Sequence, residues 1–82
     1  MAIANDRAQE EFAELVAYEV FGTVVEYDAY MQESIIESNV SEREFIKAAL
    51  YVAEDFVDDP DGYYDVRVVE ERAGVFALAL LV

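Results

Sequence analysis

Residues Val75 to Val82 read VFALALLV. A strand built from them is apolar on both faces, and such strands are usually interior or covered on both sides. The apolar run from Ala73 falls far short of the ~20 residues that a membrane helix needs. Just upstream, Tyr64 to Glu70 alternates. Tyr64, Val66 and Val68 fall on one face, with Asp65, Arg67 and Val69 on the other. Glu71 to Gly74 reads as the hairpin connection, with glycine near its end. Two strands alone are not stable in water. Either Thr23 to Tyr27 (TVVEY, short and β-branched) supplies a third strand, or two copies of the chain share a sheet through the C-terminal strand.

The rest of the chain reads as helices with one ambiguous segment. A helix is expected over 7–21, with Asp6 as its cap and Gln9 as the capping-box partner. Ala8, Phe12, Leu15 and Val16 recur at helical spacing, and Gly22 suits the C′ stop. A second helix is expected over 42–57. Ser41 is its N-cap, Glu44 completes a capping box, and Val40 can staple onto Phe45. Phe45, Ala49, Val52, Ala53 and Phe56 form one apolar stripe, widened by Ile46, Leu50 and Val57. Asp58-Asp59-Pro60-Asp61-Gly62 stops this helix and turns the chain. Asp28 to Ser38 reads two ways. Tyr27, Met31 and Ile35 are spaced as on a helix, whereas Met31, Glu33 and Ile35 alternate as on a strand. The fold class expected is α+β, one acidic domain over 1–82. Two or three helices pack on a small antiparallel sheet, in the order α, β (or α), α, β, β.

Charge is the second constraint. The 82 residues carry 19 acids against five bases, a formal net charge of −14, and 56% of them are hydrophobic. The acids are spread through both halves, so the chain reads as an acidic globule, not a neutral domain with an acidic tail. Phosphate would be repelled, which argues against direct nucleic-acid binding and against anionic membrane surfaces. The natural partner is a basic protein surface. The first residues lack the basic and apolar regions of a signal peptide, so a cytoplasmic location is expected, a host cytoplasm if the chain is phage-encoded.

Catalytic chemistry is scarce. The chain has no histidine and no cysteine, which removes the commonest base, thiol nucleophiles and the usual zinc ligands. Ser34, Ser38, Ser41 and Thr23 have no identifiable base, and Lys47, the only lysine, reads as solvated. The DDPDG turn resembles a calcium loop only in part. Aligned on Gly62, it puts Asp59 and Asp61 correctly but leaves Val57 and Val68 at the end-ligand positions. No enzyme activity, cofactor or metal is expected.

Three explanations fit the acidity. The first is solvation in high salt, which suits a small structural or interaction protein. The second is DNA mimicry. Duplex DNA carries about one charge per 1.7 Å, so fourteen charges match roughly 24 Å of duplex. A chain of this kind can occupy and block the basic cleft of a glycosylase, a nuclease or a CRISPR or restriction effector. The third is an immunity or antitoxin role against a basic nuclease.

Gln32-Glu33-Ser34-Ile35, followed by an acidic helix, resembles the segment by which phage-type uracil-DNA glycosylase inhibitors engage their enzyme. The resemblance covers about residues 32–46. It implies an exposed edge strand on which Glu33, Ser34 and Ile35 enter a DNA-binding cleft, with Glu42 and Glu44 standing in for phosphates. It also implies an apolar groove, to which Phe45 and Ile46 would contribute. Glu37, Asp58, Asp59 and Asp61 extend the expected partner-binding set.

Overall fold

The apolar strand lies inside a four-stranded sheet. In the computed structural model, which describes residues 3–57 and 62–82, the order is α1 (Asp6–Glu19), β1 (Thr23–Asp28), β2 (Glu33–Glu37), α2 (Glu42–Val57), β3 (Asp65–Arg72) and β4 (Val75–Leu81). The sheet is antiparallel throughout, in the order β1-β2-β4-β3. The α+β class therefore holds, with one strand more than the sequence suggested. The alternative, two copies sharing a sheet through the C-terminal strand, is not needed to complete this sheet. β4 is paired with β3 along one side and with β2 along the other. Past the end of β2, Ile3 bridges to Leu81 and the Ala4 N–H donates to the Leu80 carbonyl at 3.1 Å.

The ambiguous segment is a hairpin. Asp28 Oδ1 accepts from the backbone N–H groups of Tyr30 (3.0 Å) and Met31 (3.1 Å), and this side-chain turn stops any helix from continuing. Gln32 completes the reversal at φ 54°, and the β-branched pair Ile35-Ile36 follows in strand form. β3 likewise runs on through Arg72, leaving Ala73 and Gly74 as the turn. Gly74 has φ +80°, where a side chain would be strained.

Both helices start as capped helices should, but α1 uses a different cap. Asn5, not Asp6, accepts from the Ala8 N–H at 2.9 Å. Gln9 turns into the interior instead of closing a capping box. Its Nε2 donates to the Leu80 carbonyl and its Oε1 accepts from the Leu80 N–H, both at 2.8 Å. The amide thus takes the place of a strand at the point where β2 has ended. The end of α1 is a Schellman motif: the Gly22 N–H reaches the Ala17 carbonyl at 2.8 Å. Its left-handed residue is Phe21 (φ 53°), not Gly22. Gly22 is needed for close approach, because a Cβ there would lie 2.5 Å from the Glu37 carbonyl oxygen. For α2, Ser41 Oγ accepts from the Glu44 N–H at 3.2 Å, as its sequence predicts.

Both helices pack on one face of the sheet. Phe12, Val16, Ile36, Phe45, Phe76, Leu78 and Leu80 are the large side chains of that core, and the rings of Phe45 and Phe76 stack with centroids 4.3 Å apart. Leu50, expected to widen the α2 stripe, is instead exposed. Among the described residues no helix is long and apolar enough to cross a membrane.

Candidate partner-binding surface

Among the described residues no helix covers the other face of the sheet, yet Ala77 and Ala79 on that face are 1% and 0% exposed. Register explains this. Ala77 lies between Ile35 on β2 and Val69 on β3, whose side chains flank it. Ala79 lies opposite Arg67 on β3, and the β2 register carried one residue further sets Glu33 on its other side. Arg67 and Glu33 meet across it, with Nη2 to Oε2 at 3.7 Å. A larger residue at 79 would stand between them. The strand that demanded cover on both faces obtains it from helices on one side and from its neighbours' side chains on the other.

Strand alternation divides the Gln32–Glu37 stretch between the two faces. Glu33, Ile35 and Glu37 point to the open face. Opposite them on β1 stand Asp28, Glu26 and Thr23. Four carboxylates therefore share the β1–β2 half of this face, at positions 26, 28, 33 and 37. Acids directly opposite one another, such as Asp28 and Glu33, repel, even though Asp28 also holds the turn and Glu33 is paired with Arg67. A cationic surface laid against the face would relieve the repulsion.

The remaining expected residues lie elsewhere. Ser34 points inward and is 1% exposed, which contradicts the exposure that the resemblance implied. β2 is an interior strand, so the expected edge is also absent. Its fully buried side chain excludes Phe45 from any open groove, while Ile46 is half-buried. Glu42 and Glu44 are exposed in the first turn of α2, in the helical layer and away from the open sheet face. Asp58, Asp59 and Asp61 lie outside the described residues. Glu26, Asp28 and Arg67 were missed as site residues. The alternation of Glu26 and Asp28 within TVVEYD was the available signal, but it acquires meaning only once β2 is paired beside it.

At the β1 margin the Tyr27 hydroxyl donates to Asp6 Oδ1 at 2.8 Å. Its pKa is pushed up to about 12, by burial first, then by that hydrogen bond and the charges of Asp6, Glu10 and Asp28. The phenol is therefore neutral at all ordinary pH values. Among the described residues no group of three His, Cys, Asp or Glu side chains is placed to hold a metal ion.

Fold and surface together define a class: a two-layer α+β protein with a helix-covered face and an open, acid-rimmed face. No protein family, curated protein or solved structure matches this chain.

Proposed function

We propose that the chain is an acidic DNA mimic that inhibits a DNA-acting enzyme by occupying its basic cleft. The observation that carries this reading is uncompensated charge. Among the described residues only two ion pairs form, Arg7–Glu11 and Arg67–Glu33, and the full chain carries a net charge of −14. The molecule measures 35 × 25 × 17 Å, long enough to span the roughly 24 Å of duplex that carries as much charge. Association with a basic cleft would be fast and would weaken with salt.

The Glu33-Ser34-Ile35 resemblance makes uracil-DNA glycosylase the first enzyme to assay. Engagement in this chain would use Glu33, Ile35 and Glu37 on a sheet face, with Ser34 taking no part at that face. Cleavage of uracil-containing DNA is measured with the chain at stoichiometric amount and at low salt. Inhibition that fades as salt is raised is the expected result. Undiminished cleavage rejects this target, and the same assay is then run on nucleases, restriction enzymes and CRISPR effectors.

A further inference from the structure

A cavity of about 340 Å³ opens between α1 and the β1–β2 hairpin, on the helix side of the sheet. Glu10, Glu11 and Glu14 line it from α1, Val24 and Tyr27 from β1, and Ser34 from β2. Its size falls within the usual range of ligand sites. Two independent features single it out.

The first is Ser34. Its side chain points to the side of the sheet on which the cavity opens. It is 1% exposed, and its Oγ has no hydrogen-bond partner among the described residues. Buried hydroxyls without partners are rare in native proteins. The Tyr27 hydroxyl does not satisfy it, being turned to Asp6. The second is the helix wall. Glu11 is paired with Arg7 at 3.2 Å, but Glu10 and Glu14 have no ion pair among the described residues. They stand one helical turn apart, where like charges repel.

We infer that this cavity receives an arginine side chain from the basic partner, its guanidinium held between Glu10, Glu14 and Ser34 Oγ. This deepens the proposed function and rests on it for the partner. A guanidinium has five donors in a planar fork and no acceptor. It can donate to the carboxylates and to the orphaned hydroxyl together. Its apolar stem suits Val24, and its flat cation suits the ring of Tyr27. A bare metal ion does not fit, since no acid cluster among the described residues is placed to hold one.

The test uses the full chain, labelled with nitrogen-15, and blocked arginine (N-acetyl-arginine methylamide) as the probe at constant ionic strength. The expected result is saturable shifts at the amides of residues 10, 14, 24, 27 and 34, with blocked lysine binding at least threefold more weakly. Ser34→Ala removes a hydroxyl that has no partner, so the fold is kept while arginine affinity falls severalfold. Glu14→Gln, on the exposed helix surface, has the same effect. Unsaturable shifts spread over all the acids would overturn the inference. So would unchanged binding by both variants. The titration involves no DNA-acting enzyme, so its failure is distinct from a failure of inhibition.

Discussion

Ile35 and Ile36 are neighbours of identical chemistry that serve opposite faces of one strand. Ile36 is fully buried under the helices beside Phe76, and Ile35 is half-buried on the open face beside Ala77. The covered face is filled by Phe, Leu, Ile and Val; of the polar side chains buried there, Gln9 is satisfied by Leu80 and Ser34 is not. The open face combines two small alanines, one cross-strand ion pair and four carboxylates on adjoining strands. Stability is concentrated on the first face. The second sets like charges side by side on β1 and β2, which works against stability there.

The sharpest way to break this comparison is to truncate each isoleucine separately. Ile36→Ala leaves a cavity in the core and should cost about 2–5 kcal/mol. Ile35→Ala removes partly solvated surface and should cost about 1 kcal/mol or less. Urea denaturation of both variants measures the difference. Equal losses would mean that the open face is covered in solution. Next in size is Gln9→Ala, which strips the Leu80 N–H of its partner and leaves the Leu80 carbonyl with the Ala4 N–H alone. A loss of about 1–3 kcal/mol is expected, although Gln9 carries no charge.

The covered face was largely legible in the sequence, and the open face was not. The α2 helix, its Ser41 cap and the alternation of Tyr64, Val66 and Val68 follow from local spacing, and local rules hold there. VFALALLV demands cover on both sides but does not itself say by what. The answer depends on register: only the alignment of Arg67, Ala79 and Glu33 in one row shows how a small residue is covered by its neighbours. The segment 28–38 was ambiguous for a related reason. Its helical spacing of Tyr27, Met31 and Ile35 is real, but the Asp28 side chain takes two backbone N–H groups and ends the pattern. Gln9 misled because a capping-box spacing and an inward-facing position coincide on the first turn.

A smaller effect tests the seam where the two faces meet at β1. Tyr27→Phe removes the hydrogen bond to Asp6 and should cost about 1 kcal/mol at neutral pH. The folded chain favours the neutral phenol, whose pKa rises from the ordinary 10.0 to about 12. The stability this provides is fully present below pH 10 and is lost as the pH rises from about 10 to about 12. The gap between the two proteins in a denaturation series should therefore be constant up to about pH 9 and narrow above pH 10. A gap that widens with alkalinity would contradict the assigned hydrogen bond.

The smallest predicted change is a gain. Phe21 belongs to neither face. It is 96% exposed and holds φ 53° at the end of α1, a conformation that costs a bulky residue and suits glycine. Phe21→Gly should therefore stabilise the chain by roughly 0.5–1 kcal/mol, the relief of left-handed strain exceeding the added freedom of the unfolded glycine. Thermal unfolding measures it. The ring makes no contribution to the core, so a loss of partner capture by this more stable variant would mark Phe21 as an apolar anchor beside the acidic surface. Unchanged capture would confine recognition to the charged face and the cavity behind it.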